Sequence, residues 1–300
     1  MLKLKLTIDL EISRIVHGHW RLADWNLSSQ ELLKLTEQSV DLGVTTFDHA
    51  DIYGDYSCEE MFGNALKLAK HIRPKIQIIS KCGIKLLSKK FPYRQLKYYD
   101  YSYAYIVSSV EKSLKNFGTD YIDILLLHRP SPFFNPEEVA KAFAYLKQTG
   151  KVRHFGVSNF TSEQFEMLNS FVEEPLVTNQ VEISPYCLEH FNNGNIDFFL
   201  KEHIKPMAWS PLAGGNLLNP KDGKGKRIFK ALQEVALDLH LKSIDQVVYS
   251  WLLNHPASII PIIGSGKMER LQKAVDSLSV KMNLAQWFKI YIAATGQELP

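Results

Sequence analysis

Short β-branched, apolar runs alternate along this chain with longer stretches whose apolar residues recur at the spacing of a helix face. ISRIV (12–16) is followed by residues 28–43, where Leu32, Leu33, Leu35, Val40 and Leu42 give a broad apolar face and Gly43 stands where a helix cap belongs. TTFD (45–48) leads into the helical EEMFGNALKLAK (59–70), and KIQIISK (75–81) leads, after a loop, into YIVSSVEKSLKNFG (105–118). IDILLLH (122–128) precedes PEEVAKAFAYLKQTG (136–150), with Pro at the helix start and Gly at its end. VRHFGVS (152–158) precedes a helix opened by Thr161 and Gln164, the spacing of a capping box. VTNQVE (177–182) comes before NIDFFLKEH (195–203), and IKPMAWS (204–210) before two helices near 227–239 and 243–254. SIIPIIGS (258–265) and a helix from about Met268 complete the series.

About eight strand–helix units in this order predict a parallel sheet, because parallel strands need long crossovers. Eight such units close on themselves, so the expected fold is α/β: a single-domain (β/α)8 TIM barrel over residues 1–300. An open doubly wound sheet is the alternative, but no G-x-G-x-x-G follows the first strand. MLKLKLTIDL alternates with period two, which predicts strand and an N-terminal β-hairpin cap rather than a signal peptide. Two loops, 83–103 and 210–226, exceed what a barrel requires. Both follow strands and so belong to the C-terminal face, where barrel enzymes keep their active sites.

Composition narrows the classes. The 300 residues are 45% hydrophobic and 22% charged, and the net charge of +3 is too small to argue for nucleic acid. The basic run KDGKGKR (221–227) reads as a solvated loop. Three cysteines without metal-ligand spacing point to a reducing compartment, and no segment has the roughly 18 unbroken apolar residues of a membrane span. The expectation is a soluble, cytoplasmic protein, monomeric or a small homo-oligomer, with a small-molecule partner and no nucleic acid, membrane or metal.

On a barrel, the strand ends form a ring of side chains at one mouth. TTFDHADIYGD (45–55) brings Asp48 to the end of the second strand and Tyr53 into the loop beyond it; the third strand ends at Lys81 and the fourth at His128. A buried Asp–Lys pair beside a Tyr is expected to lower the phenol from its ordinary value near 10, so that it can protonate a carbonyl oxygen. His128 adds a second hydrogen-bond donor where negative charge develops. The reductant must then be a cofactor, since no side chain delivers hydride. IIPIIGSGKMER (259–270) offers Gly264, Ser265 and Gly266, then Lys267 and Arg270, as an anion site that favours NADPH over NADH. Trp209 offers a face on which a nicotinamide ring can stack.

Along its whole length the chain resembles the aldo-keto reductase superfamily, in GVTTFDHADIYG, KVRHFGVSNF, NQVEISP, AWSPLAGG and IIPIIGSGKMER. Within it the match is to the bacterial YdhF-like oxidoreductase branch, on LLLHRPSP, GVSNFT, NQVEISP and PIIGSGKMER. The resemblance implies an NADPH-dependent reduction of aldehydes or ketones to alcohols, with a tetrad of Asp48, Tyr53, Lys81 and His128. It implies nicotinamide-amide contacts at Ser158, Asn159 and Gln180, stacking on Trp209, and adenosine-phosphate contacts at Ser265 and Arg270 with Lys267 nearby. Gly18, His19, Trp20, Ser210, Leu212, Gly214, Ile263, Gly264 and Gly266 fall along the rest of the implied cofactor path. The 83–103 loop and the segment after His128 depart from the sugar and steroid reductases, so their substrates do not carry over. Trp20, Trp25, Tyr53 and tyrosines of 98–105 are the expected substrate wall. Two other readings stand beside this one: a nucleotide-binding regulator resembling potassium-channel β-subunits, and a metal hydrolase using His17, His19, His49, Asp51 and His128.

Overall fold

In the computed structural model, which describes residues 3–300, eight parallel strands close into a barrel and helices cover its outside. The chain opens with an antiparallel pair, β1 (Lys3–Lys5) and β2 (Glu11–Ser13). The barrel strands are β3 (Val16–Gly18), β4 (Thr46–Asp48), β5 (Gln77–Cys82), β8 (Ile122–Leu127), β9 (Val152–Ser158), β10 (Asn179–Glu182), β11 (Met207–Trp209) and β12 (Ile260–Ile263). Each pairs with its sequence neighbour, and β12 returns to β3 to close the ring. Between β5 and β8 the chain adds a small hairpin, β6 (Ile84–Lys85) with β7 (Tyr98–Tyr99).

The expected hairpin cap is present, although Met1 and Leu2 lie outside the described residues. Leu4 and Leu6 pack with Leu10, Ile12, Val16, Ile79, Ile124, Leu126 and Met207, so the hairpin plugs the barrel interior from one end. ISRIV is not one strand: it begins in β2 and ends in β3, with Arg14 and Ile15 between them. Alternation then sorts the side chains. Along β8, Ile124 and Leu126 fill the barrel while Leu125 and Leu127 pack outward against the helices.

The helices start and stop where their end residues dictate. They are α1 (Ser29–Asp41), α2 (Tyr53–Tyr56), α3 (Cys58–Lys67), α4 (Tyr103–Phe117), α5 (Pro136–Gln148), α6 (Ser162–Asn169), α7 (Glu189–Asn192), α8 (Asn195–Lys201), α9 (Gly223–Asp238), α10 (Ile244–Leu253), α11 (Met268–Asp276) and α12 (Leu284–Thr295). Ser28 caps α1 through Glu31, and Thr161 caps α6 through Gln164. After α1, Gly43 turns the chain with φ at 80°. The basic run at 221–227 is not a free loop, because Asp222 caps α9 and the run forms its first turn. The closing α12 also has a capping box, Asn283 with Gln286, a signal the sequence reading passed over. Among the described residues no helix is long and apolar enough to cross a membrane.

Candidate active site

At the C-terminal ends of the barrel strands lies a cavity of about 650 Å³, within the usual range for small-molecule sites. It runs from Asp48, Tyr53 and His128 across Trp209 and the segment after β11 to Gly264, Ser265 and Arg270. The tetrad expected from the strand ends is assembled. Lys81, 1% exposed, donates to Asp48 Oδ1 at 2.7 Å, to the His49 carbonyl at 2.8 Å and to the Tyr53 hydroxyl at 3.1 Å. Gln180 Nε2 donates to the same Asp48 oxygen at 2.8 Å. His128 lies edge-on to the Tyr53 ring, with 5.8 Å between ring centres. Lys81 does not itself line the cavity; it supports Tyr53 from behind.

The hydrogen bonds continue beyond the tetrad. Trp209 Nε1 donates to Asn159 Oδ1 at 3.0 Å, Asn159 Nδ2 donates to Ser158 Oγ at 2.7 Å, and Ser158 Oγ donates to the Gln180 carbonyl at 2.8 Å. Asn159 and Ser210, the residues just past β9 and β11, have φ of 63° and 54°. Neither is a glycine, so both hold strained backbone at the mouth of the barrel.

Burial dominates the protonation states. It raises the Tyr53 phenol well above its ordinary value, and the Asp48 carboxylate adds to the rise. The expected lowering by the nearby cation is overturned, because desolvation outweighs it. Tyr53 therefore stands protonated. Burial also lowers Lys81, against the Asp48 carboxylate that favours its charge. His128 is pushed well below its ordinary value by burial, with Lys81, Arg129 and Lys97 adding, and it is a neutral imidazole. Beneath Tyr53 and Lys81, burial raises the Asp51 carboxyl to about 8; its Oδ2 accepts from Ser109 at 3.0 Å.

The far end of the cavity is backbone and exposed charge. The N–H groups of Ser210, Leu212, Gly214, Gly264 and Ser265 donate to no protein atom among the described residues. Gly214 and Gly215 have room beyond their Cα atoms, and the exposed Arg270 lines the same cavity. Such N–H groups with a guanidinium suit phosphate oxygens.

Most expected contact residues line this cavity: Gly18, Trp20, Ser158, Asn159, Gln180, Trp209, Ser210, Leu212, Gly214, Ile263, Gly264, Ser265 and Arg270. Three do not. His19 is fully buried on the other side of β3, stacked on His49 at 4.5 Å and packed against Phe47, Phe62 and Trp25. Strand alternation explains this: Gly18 faces the cavity, so its neighbours His17 and His19 face the helices. Gly266 backs onto Trp25, whose ring a Cβ would meet at 2.9 Å, and Lys267 is exposed just outside. Trp25 is thus structural, and none of the tyrosines of 98–105 lines the cavity. Arg21, Ile52, Ile84, Lys97, Arg129, Pro211, Gly215, Leu218 and Tyr249 line it instead. Ile84, Lys97, Pro211, Gly215 and Leu218 come from the two long loops expected at this face, and Arg129 stands directly after His128 at a strand end. Among the described residues no three His, Cys, Asp or Glu side chains are grouped to hold a metal ion, and the three cysteines are free thiols.

A closed barrel carrying this tetrad at its mouth defines the class, and comparison agrees. Residues 14–293 match the Aldo/keto reductase family, and the chain belongs to it. It is 48% identical to oxidoreductase YdhF of Escherichia coli (strain K12), covering 97% of this chain and 96% of that one. It is 40% identical to a 6-dehydroglucose reductase of Agrobacterium fabrum (strain C58 / ATCC 33970) over the whole of both chains. Among solved structures, the thermostable aldo-keto reductase Tm1743, crystallised with the inhibitor epalrestat, superposes with a TM-score of 0.82 at 26% identity. That match covers 98% of this chain and all of that one. The chain is therefore a bacterial-type oxidoreductase of the YdhF-like branch.

Proposed function

We propose that this oxidoreductase reduces an aldehyde or ketone to an alcohol using NADPH, with Tyr53 as the proton donor. The observation that supports it most is the Lys81 ammonium, 2.7 Å from Asp48 and 3.1 Å from the Tyr53 hydroxyl, beneath a cavity that His128 also lines. When bound, NADPH supplies the hydride. The unpaired backbone N–H groups after β11 and β12, with Ser265 and Arg270, would hold its phosphates, and Trp209, Ser158, Asn159 and Gln180 its nicotinamide end. A phosphate beside the ribose gives Arg270 a partner that NADH lacks, which favours NADPH.

In this reading the carbonyl oxygen lies between the Tyr53 hydroxyl and His128. As negative charge grows on that oxygen, Tyr53 releases its proton to it, and the Lys81 cation stabilises the phenolate left behind. Asp48 keeps Lys81 charged and in place. His128, as a neutral imidazole, donates one hydrogen bond and orients the carbonyl.

Titration of the protein with NADPH, read by fluorescence, tests cofactor binding; loss of NADPH absorbance with a panel of aldehydes and ketones tests turnover. Tyr53→Phe removes only the phenol oxygen, so binding should persist while kcat falls roughly 10²- to 10⁴-fold. A Tyr53→Phe protein with full turnover would sink the proton-donor role. Tight binding with no turnover on any carbonyl would point to the regulatory reading instead.

A further inference from the structure

The residue after His128 is an arginine, and the long loop after β5 carries Lys97 immediately before β7. Both line the cavity, together with Arg21 and Arg270, whereas among the described residues the only carboxylate lining it is Asp48, already engaged by Lys81. Arg270 belongs to the Gly264–Ser265 end. Arg129 and Lys97 belong to the tetrad end, since both act electrostatically on His128 and Arg129 also acts on Tyr53.

Among the described residues neither the Arg129 guanidinium nor the Lys97 ammonium makes a hydrogen bond or an ion pair; Arg129 has only the Trp209 ring, 5.5 Å away. Glu182 lies in the field of Arg129 but makes no ion pair with it and does not line the cavity. Their positions are nonetheless built. The Tyr101 hydroxyl, on a side chain only 4% exposed, donates to the Arg129 carbonyl at 2.5 Å and accepts from the Arg129 N–H at 3.1 Å. Tyr101 needs Gly83 beneath it: φ there is 108°, and a Cβ would lie 1.9 Å from the tyrosine ring. The Lys85–Asp100 ion pair and the Asp100 N–H to Gly83 carbonyl bond tie down the arm that carries Lys97. A half-buried guanidinium with its N–H fork unused, next to a second unpaired cation, matches an oxyanion.

We propose that Arg129 and Lys97 form an oxyanion subsite beside the tetrad, so that the preferred substrate is an aldehyde or ketone bearing a carboxylate or phosphate. This rests on the carbonyl-reductase reading and narrows its substrate class. Sugar hydroxyls could occupy the same donors, and 6-dehydroglucose, which the Agrobacterium relative's name specifies, carries no charge. The test therefore sets charged against neutral carbonyls of matched skeleton.

With NADPH present, succinic semialdehyde is compared with butanal, and glyceraldehyde 3-phosphate with glyceraldehyde. The expected result is a kcat/KM at least about tenfold higher for a charged member, arising in KM and shrinking as salt is raised. The pair that responds identifies carboxylate or phosphate. Arg129→Met should bring the ratio near one, and Arg129→Lys should restore part of it. Lys97→Met, at an exposed loop position safe for folding, should lower the ratio about threefold. Succinate has no reducible carbonyl, and it should change the protein fluorescence of the NADPH complex in the wild type but not in Arg129→Met. A neutral preference, or a ratio indifferent to both substitutions, would overturn the subsite. If no carbonyl turned over at all, the reductase reading would fall, and the succinate titration would still decide the subsite.

Discussion

At the tetrad end of the cavity, Lys81, Asp48, Gln180, Ser158 and Asn159 are linked side chain to side chain or to backbone by bonds of 2.7–3.1 Å, and Lys81 is 1% exposed. At the far end, the N–H groups of Ser210, Leu212, Gly214, Gly264 and Ser265 have no protein partner among the described residues, and Arg270, which lines the same cavity, is exposed. Around Lys81 the buried side chains are bonded to one another, whereas the far end is open and offers N–H groups and a guanidinium of the kind that suits phosphate oxygens. Proton transfer needs a donor held within a few tenths of an ångström, which takes buried, mutually bonded side chains. Holding a flexible polyanion needs only charge and N–H groups, which backbone supplies without a buried side chain.

The most damaging test of this contrast is Lys81→Met. It leaves the Asp48 carboxylate buried against Gln180 alone, so unfolding stability should fall by about 3–5 kcal/mol in urea. Turnover should fall at least about 10³-fold. A variant as stable as the wild type would mean that the tetrad end is not the fixed network described.

Acid should act through the buried histidines, of which His128 belongs to the tetrad and His17, His19 and His49 lie behind β3 against the helices. Burial lowers His17 to about 4 and His19, His49 and His128 well below their ordinary value. The unfolded chain then binds more protons than the folded one between those values and 6.5, so stability is lost as pH falls through that window. Each histidine adds up to about 1.4 kcal/mol per pH unit. Asp51, raised to about 8, works the other way, because the folded state holds its proton and stability declines as pH rises toward 8. Glu59 and Glu182 are raised by burial as Asp51 is, but the lowered histidines, His255 at about 4 and His154 and His190 among them, outnumber these carboxyls, so urea midpoints should be lower at pH 5 than at pH 7. His49→Phe should flatten the slope if the assignment is right.

The smallest effect is expected at the open end. Arg270→Ala should weaken NADPH binding about tenfold, weaken NADH binding less, and shift stability by under about 0.5 kcal/mol. Equal losses for both cofactors in a titration would show that Arg270 does not read the extra phosphate.

Much of this molecule could be read from local pattern. Alternation and capping residues gave the strand–helix order, the barrel, and the strand ends at Asp48, Lys81 and His128. The reading erred where neighbours in space decide the outcome. His19 was taken toward the cofactor, but the pleat turns it outward onto His49. Trp25 and the tyrosines of 98–105 were taken for substrate wall. Instead Trp25 supports Gly266, and Tyr101 clamps Arg129. The β6–β7 hairpin has only two residues per strand, too short for any periodicity to register.

What local spacing specifies is which residues share a face and where an element ends, because the 3.6- and 2-residue periods and the end caps are properties of the chain alone. How a group ionises, and which cations stay unpaired, depends on burial and on partners far away in the sequence. Lys81 reaches across 33 residues to Asp48, and Gln180 across 132. The rise of the Tyr53 phenol and the free guanidinium of Arg129 exist only once the barrel has closed, since desolvation is a property of the assembled interior.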